Sequence, residues 1–341
     1  MNLFQKVKFS IIKNQIEKRK KNRPFDFEYA EKYEIPEGAT NHPNNSYYFS
    51  LHDLTGKSIL FRLAKRGDRD ELWLVYHDVD GKSYRNRDPL ANNESKASVK
   101  CLKVGEEWQF QFNGPVIEVN SENKTPIQAS LNATFTSTAP IFEFSRHSDS
   151  GATAKALAKE KLSKAFLKEL SENHQVHYEQ AGKASGTLQL DDKNISFDMR
   201  AMRDHSFGKR DWNYMDRHIW LMALLENGEV MNVNMVRYPA IFEMQHGYYE
   251  KDGKYINVFS CTEMDKITLS DKTPDSFTCE IKLVDGRNMK MICEKEIEVA
   301  FPFDNGAYTI FEGIGKLSVD GIKGRGIIEI GYNGDKNRWT R

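Results

Sequence analysis

The 341-residue chain lacks most of the features that assign a protein to a class at once. It has only four cysteines, and none forms a Cys-x-x-Cys pair, which argues against a disulfide scaffold and a structural zinc site. Reduced thiols in a cytoplasmic protein are the simplest interpretation. No uncharged apolar run reaches the roughly 18 residues of a membrane span. Basic and acidic residues both number 49, so the zero net charge predicts no nucleic-acid partner.

Common catalytic motifs are also missing. The sequence contains no P-loop, no Gly-x-Gly-x-x-Gly before a helix, no Gly-x-Ser-x-Gly and no His-Glu-x-x-His. Nucleotide-dependent chemistry and the common hydrolase classes are therefore disfavoured, and no cofactor is predicted. His174-x-x-His177 with Glu179 could place two imidazoles on one helix face, but no third ligand is evident. We therefore predict no metal site.

Strand patterns dominate the rest of the chain. Hydrophobic residues make up 39% of the sequence, enough for a sizeable core, and from about residue 46 they mostly alternate with polar ones. Asp80-Gly81, Asn227-Gly228, Asp252-Gly253 and Asp285-Gly286 are hairpin signals, the last three of the I′ type by composition. Residues 151–171 instead have helical spacing and strong helix formers. Many antiparallel strands favour barrels or sandwiches over a βαβ fold.

This pattern predicts three segments. Residues 1–35 form an N-terminal helical segment, residues 36–172 a first β-barrel with a trailing helix, and residues 173–341 a second β-barrel that carries residues 203–212. The predicted fold class is therefore mainly β, with two consecutive antiparallel barrels, an N-terminal helix and a helix near 151–171. Oligomeric state is not evident from the sequence.

Residues 1–21 combine apolar residues at helical spacing with seven lysines and arginines. The basic residues interrupt the apolar run that a signal peptide would need. A helix that packs on the body of the protein is the favoured interpretation. The alternative is an amphipathic segment that touches a membrane surface through its basic face.

One predicted strand, residues 219–225, is apolar on both faces. A strand with one solvated face would alternate, so either protein covers both faces or one face lines an apolar cavity. Its hairpin partner carries Met231, Val233 and Met235 on one face and Asn232 and Asn234 on the other. Methionine adapts to irregular apolar pockets but is also common in plain cores.

The densest polar stretch runs from Arg203 to Trp212 and reads Arg-Asp-His-Ser-Phe-Gly-Lys-Arg-Asp-Trp. So many charges beside aromatic residues indicate a partly buried cluster in which each charge has a partner. As a strand end running into a turn, it would direct Arg203 and His205 to one side and Asp204 and Ser206 to the other. Gly208 permits the positive φ of a sharp turn.

Asp204 is the best candidate for a general acid, with His205 as its orienting partner or as a base. The alternative is a structural network, because Arg203 and Arg210 would keep Asp204 ionised and could close the end of a barrel. Glu329 is a lone acid in an apolar strand. The favoured interpretation is a charge on an edge strand. The alternative is a second carboxylate that reaches the cavity.

The stretch from Arg203 to Trp212 resembles the Arg-Asp-His-Ser-[Trp/Phe]-Gly-x-Arg-x-Trp signature of a lipocalin-like family. That family is related to the carotenoid 1,2-hydratases (hydroxyneurosporene synthases) and the AttH-like proteins. The segment His177-Tyr178-Glu179-Gln180, Gly186 and the Gly-x-Gly-x-x-Glu that ends at Glu329 are similar too, over roughly residues 40–335 in all. The resemblance implies two lipocalin-like barrels with a ligand pocket at or between them.

In the hydratases the related Asp-His-Asn-[Trp/Phe]-Gly motif supplies an acid that protonates an isoprenoid double bond. The resemblance places that acid at Asp204, whereas Ser206 stands where the hydratases have Asn.

Two functions are therefore predicted. The first is a cofactor-independent enzyme of the hydratase or isomerase/cyclase type that transfers a proton to an isoprenoid- or polyketide-like molecule. The second is a non-catalytic carrier of hydrophobic ligands. The predicted site comprises the catalytic Asp204 and His205, the polar network Arg203, Ser206, Arg210, Asp211 and Glu329, and the pocket residues Trp212, Tyr214, Trp220, Met222, Met231, Met235 and Glu179.

Overall fold

The structure is a computed structural model. It describes residues 2–22, 25–67, 69–90, 94–122, 124–161, 163, 175–269 and 272–339. The protein is mainly β, as predicted. The helices are α1 (Leu3–Asn22), α2 (Phe27–Glu31), α3 (Phe144–His147), α4 (Ser150–Lys159) and α5 (Met264–Ile267), with 3-10 turns at Trp212–Tyr214, Asp304–Gly306 and Lys336–Arg338. None of these helices combines the length and apolar character that crossing a bilayer requires.

The chain divides into two compact units. The first unit comprises residues 26–142 and 175–210, and the second unit comprises residues 1–25, 143–174 and 211–341. This division differs from the predicted boundary between residues 172 and 173. The strands of residues 175–209 pair with those of the first half, so the strand that carries Asp204 belongs to the first barrel and not to the second.

The first unit is built on a ten-stranded antiparallel sheet. Its strand path runs β10-β1-β2-β3-β4-β6-β7-β9-β8, with β5 beside β6, and pairing of β9 with β10 closes a ring. The strands are β1 (Pro43–His52), β2 (Ser58–Lys65), β3 (Asp70–His77), β4 (Ser83–Asn86), β5 (Lys96–Lys103), β6 (Glu107–Glu118), β7 (Ile127–Ser137), β8 (Phe142–Glu143), β9 (Gln175–Leu190) and β10 (Lys193–Lys209).

Alternate residues of these strands form one hydrophobic core. Phe49, Phe61, Phe110 and Phe135 are buried and in aromatic contact inside the ring. Burial of such large side chains supplies most of the favourable free energy of folding. Gly186 of β9 lies where β7 approaches closely, and a Cβ there would overlap the Asn132 carbonyl oxygen. Close packing of β9 on β7 therefore explains why Gly186, one of the residues that resemble the lipocalin-like family, is a glycine.

The second unit contains a closed eight-stranded antiparallel barrel whose strands follow in chain order, as in up-and-down barrels. Its core holds Met231, Val233 and Met235 together with alternate residues of β11. The strands are β11 (Arg217–Leu225), β12 (Val230–Tyr238), β13 (Ile241–Lys251), β14 (Lys254–Cys261), β15 (Ser276–Leu283), β16 (Asn288–Phe303), β17 (Tyr308–Val319) and β18 (Ile322–Asn333).

The helices differ partly from their predicted extent. Within the described residues α4 ends at Lys159, and most of the rest of the predicted helix 151–171 lies outside them. Asp149 caps α4 by accepting a hydrogen bond from the Ala152 backbone N–H at 2.7 Å. The favoured interpretation of residues 1–21 is confirmed, because Ile12 of α1 is buried against α4. All four cysteines are free thiols.

The hairpin turns lie where the sequence predicts them, but only Asp252-Gly253 has the two positive φ angles of a type I′ turn. In the turns at Gly81, Gly228 and Gly286 only the glycine has a positive φ. The backbone N–H of each of these glycines donates to the carbonyl oxygen of the residue three positions earlier, with N···O distances of 3.0–3.1 Å. This bonding is typical of a type I turn followed by a left-handed glycine.

Candidate active site

A histidine and two carboxylates meet on one face of β9 and β10. In the strand register Asp204 is opposite Glu179 and Ser206 is opposite His177. The side chains of all four point away from the barrel core, because their strand neighbours Tyr178 and His205 point to the other side. Nε2 of His177 is in ion-pair contact with Oδ2 of Asp204 and lies 3.6 Å from Oε1 of Glu179.

The three side chains differ in their access to solvent. Glu179 is fully buried, whereas 13% of the Asp204 side chain and 30% of the His177 side chain are exposed. The cluster is therefore open to solvent mainly through the His177 ring, because Oδ2 of Asp204, the oxygen that faces Nε2, is itself buried. The buried Glu179 carboxylate favours positive charge on the neighbouring imidazole.

The pKa of His177 is raised above its ordinary value. Burial alone would lower this pKa, but the negative charge of Asp204, the hydrogen bond to it and the charge of Glu179 together outweigh burial. The imidazole therefore remains protonated to a higher pH than a solvated histidine does. A histidine of this kind can take up and release a proton, and Asp204 favours its charged form.

His205 is not the partner of Asp204, which corrects the sequence interpretation. It points into the first barrel, where its ring stacks on Tyr47 with 4.2 Å between ring centroids. Its Nε2 donates to Oδ1 of Asn45 at 2.7 Å, and its Nδ1 accepts from the Tyr178 hydroxyl at 2.5 Å. Burial, then the charges of Arg203 and His177, lower its pKa far below the ordinary value. His205 is therefore a neutral core residue.

Arg203 also points into the first barrel and does not pair with Asp204. Its guanidinium donates to Oε1 of Glu31 at 2.7 Å and to Oε1 of Gln180 at 2.8 and 2.9 Å. The Trp108 ring centroid lies 5.0 Å from its Cζ. The predicted Arg–Asp network is thus replaced by a buried Arg–Glu pair on the opposite face of β10. Alternation along the strand, which places Arg203 with His205 and Asp204 with Ser206, is confirmed.

The remaining polar residues of the stretch have local structural contacts. Arg210 donates to Oγ of Ser206 at 3.2 Å and to Oε1 of Gln175 at 3.1 Å. Asp211 accepts the Asn213 backbone N–H at 3.0 Å and so begins the 3-10 turn. Gly208 has the predicted positive φ, at 113°, but it lies within β10 and not in a turn.

The same cluster offers a set of metal ligands. One ligand atom each from His177, Glu179 and Asp204 lies within 4.8 Å of the other two, and such N and O donors suit a divalent cation. The third ligand that the sequence pattern lacked is Asp204, which β10 brings beside β9. His174, the other histidine of the predicted pair, lies outside the described residues.

Glu329 belongs to a second polar cluster, in the second unit. Its Oε1 is 2.5 Å from Nε2 of His218, whose Nδ1 is 2.6 Å from the hydroxyl of Tyr308. Because β18 pairs with both β11 and β17, Glu329 is not an edge charge, and that interpretation is wrong. Burial and then the charge of Glu329 raise the pKa of Tyr308. Tyr308 therefore remains a donor in a chain that ties three strands together.

The predicted pocket residues divide between the two faces of the second barrel. Met231 and Met235 lie in the packed core, whereas Trp220 and Met222 alternate with core residues of β11 and are buried on its other face. Both faces of this strand are thus buried. The Trp212 ring stacks on Phe303 and Tyr308, at 4.5 and 5.6 Å between centroids, and Tyr214 stacks on Tyr238 at 5.3 Å.

His177 was named from the sequence, but as a residue on a helix face. As a strand residue two positions before Glu179, it points to the same side as that acid, which is the signal that could have identified the pair. Glu31 and Asn45, the interior partners of Arg203 and His205, were missed. They lie about 160 residues or more away along the chain, so no local pattern indicates them.

A family model matches residues 33–334 and is described as a domain of unknown function, DUF7064. The chain belongs to this family. No curated protein sequence matches the chain.

Two solved structures are similar to the protein. Kievitone hydratase from Nectria haematococca aligns over 90% of this chain and 95% of its own, with 11% identity and a TM-score of 0.54. A Nitrosomonas europaea protein provisionally described as AttH aligns over 89% and 97%, with 14% identity and a TM-score of 0.49. At this identity the similarity to the hydratase shows a shared fold.

Proposed function

We propose that this protein is a hydratase-type enzyme, which adds water to a carbon–carbon double bond of a hydrophobic small molecule or eliminates water from an alcohol to form such a bond. The observation that carries the proposal is the contact of His177 with Asp204 beside the buried Glu179. Supporting it, a kievitone hydratase shares the fold over nearly the full length of both chains. The resemblance to the carotenoid hydratases independently selects the same aspartate.

The proton transfer follows from the electrostatics of the pair. A solvated carboxylic acid is ionised at pH 7 and holds no proton to donate. Here the raised pKa of His177 keeps a proton at its contact with Asp204. Delivery of that proton to one alkene carbon leaves positive charge on the other carbon, which water then attacks. The proton that the water releases returns to the pair, so the reaction is redox-neutral.

Glu179 has a supporting role in this scheme. Its carboxylate lies 3.6 Å from the imidazole and is buried, so its charge is weakly screened. The negative charge of Glu179 stabilises the imidazolium of His177 before the proton transfer. After the transfer it stabilises the positive charge that forms on the substrate carbon. His205 has no part in the reaction, because both ring nitrogens are bonded inside the barrel.

The proposal can be tested without a known substrate. Extracts of apolar metabolites are incubated with the protein in ordinary and in oxygen-18 water, and compounds that gain or lose one water are identified by mass spectrometry. We expect wild type to produce such a compound, with the heavy oxygen where water is added. Asp204→Asn and His177→Gln should reduce its rate by about 10²- to 10⁴-fold, the usual contribution of general acid–base catalysis.

Asp198→Asn is the matched control, because Asp198 is an exposed residue of the same strand and the same face. It should leave the rate unchanged, and circular dichroism should show that all variants fold. A protein that co-purifies with an apolar ligand but changes no compound would contradict the proposal and favour the carrier. Equal rates for Asp204→Asn and Asp198→Asn would contradict the role of Asp204.

A further inference from the structure

Helix α1 is apolar on two opposite sides, and only one of them is packed. The inner side places Ile12, with Phe9 and Ile16, against Ala154, Leu157 and Ala158 of α4. This contact accounts for one apolar residue in each turn of the middle of the helix. It leaves the other apolar residues of α1 without a packing reason.

The outer side carries four large apolar residues in its first nine positions. Leu3, Phe4, Val7 and Ile11 are between 53% and 80% exposed. Leu3, Val7 and Ile11 are spaced by four residues and therefore form one ridge, with Phe4 beside it. Single exposed apolar residues are normal on a surface, but an aligned group of four indicates a binding face.

The charge of α1 indicates what covers this face. Between Leu3 and Asn22 there are seven lysines and arginines and a single acid, Glu17, although the whole chain has no net charge. The exposed Lys18 and Lys21 continue the ridge of Leu3, Val7 and Ile11 at helical spacing, and the exposed Lys6 flanks it. The partner of the ridge should therefore be apolar within and negatively charged at its surface.

We propose that this ridge docks on an anionic lipid bilayer, with α1 lying along the membrane surface and Leu3, Phe4, Val7 and Ile11 inserted among the lipids. Lysines beside such a face reach the headgroups with their charged ends while their stems cover apolar surface. A second copy of the chain fits less well, because two such helices would bring like charges together. The ridge is also much smaller than a stable dimer interface.

The full chain is mixed with vesicles of pure phosphatidylcholine and with vesicles that contain about one-third phosphatidylglycerol, and bound protein is measured by flotation. We expect binding to the anionic vesicles that weakens as salt is added, and little binding to the neutral ones. The triple variant Leu3→Ser, Val7→Ser and Ile11→Ser should bind at least about tenfold more weakly, because it removes most of the inserted apolar surface.

Leu54→Ser, Val79→Ser and Leu102→Ser together form the matched control, since these residues are similarly exposed outside α1. This variant should bind as wild type does. Absence of vesicle binding, or equal binding of the two triple variants, would overturn the proposal. So would a dimer in sedimentation equilibrium that only the α1 variant dissociates, because the ridge would then be a self-association face.

Discussion

The side chains of adjacent residues in β10 leave the strand on opposite faces, and this alone separates Asp204 from His205 and Arg203. The interior pair is desolvated and bonded to fixed partners, so it contributes to stability. The outward Asp204 instead meets His177 and Glu179, and its charge raises the pKa of that histidine. The chemical difference between neighbouring residues of one motif is thus set by strand alternation and by what each face contacts.

The directions of the Arg203, Asp204 and His205 side chains follow from the sequence, but their partners do not. Alternation along β10 is a local property and can be read directly from residues 203–206. The pairing of Asp204 with Glu179 depends on the register of β9 against β10, which is set between segments some 25 residues apart. The predicted contacts of His205 and Arg203 with Asp204 were therefore wrong, although the orientation of both residues was correct.

The pH dependence of stability tests the interaction at Asp204. A histidine whose pKa is raised by folding stabilises the protein fully below its unfolded pKa, about 6.5, and loses this contribution as pH rises through the folded pKa. Wild type should therefore exceed Asp204→Asn in free energy of unfolding by more at pH 6 than at pH 9. Each unit of the pKa shift contributes about 1.4 kcal/mol to that change.

Urea denaturation at several pH values above 5 measures this difference, and Asp198→Asn provides the reference. A stability gap between wild type and Asp204→Asn that is constant over the range would show that His177 does not titrate against Asp204.

At the scale of elements, α2 is joined to the interior of the first barrel by one ion pair. Glu31 at the end of α2 and Arg203 of β10 are both nearly inaccessible to solvent. Gln180 and the rings of Trp108 and Tyr178 also lie against the guanidinium. A buried pair of this kind stabilises little relative to apolar residues, but loss of one partner leaves the other charged and buried.

Glu31→Gln should therefore lower the free energy of unfolding by about 3 kcal/mol or more, as measured by chemical denaturation. Glu28→Gln is the control in the same helix, because Glu28 is exposed and pairs with the exposed Lys32. It should change stability little. Equal effects of the two substitutions would mean that α2 is not held by Glu31.

Most strands and their hairpins were predictable because alternation and Gly-containing turns are local signals. One strand end and two hairpin turns were mistaken, because their local signals fit more than one backbone geometry. Residues 203–209 were expected to end a strand in a turn at Gly208, yet its positive φ is accommodated within β10. Hairpins at Asn227-Gly228 and Asp285-Gly286 were assigned two-residue turns, although backbone bonding makes them longer.

At the scale of the whole molecule, the first barrel is completed by chain that follows the helix near residue 150. β9 and β10 pair with β7 and β1, so the ring closes between residues 43–52 and residues 200–209, which are far apart in sequence. The sequence pattern predicted that the two barrels are separated by the helix near residues 151–171, because a change from strand to helix periodicity normally marks a domain boundary. Ring closure depends on non-local pairing, which no composition shift signals.

This topology predicts how fragments behave. A fragment of residues 36–172 lacks β9 and β10, so β1 and β7 would each expose an unpaired edge. It should be aggregated or unfolded. A fragment in which a short glycine-rich linker joins residues 26–142 to residues 175–210 should fold, with cooperative unfolding monitored by circular dichroism. A soluble, cooperatively folded 36–172 fragment would contradict the topology.

The central claim is that His177 and Asp204, and not His205, share the proton of the site. Nuclear magnetic resonance titration of the histidine side chains in wild type and Asp204→Asn measures this directly. The account predicts that His177 titrates above the ordinary histidine pKa of about 6.5 in wild type and falls in the variant, while His205 remains neutral throughout. A His177 pKa that is ordinary and identical in both proteins, or a His205 that becomes charged near neutral pH, would contradict it.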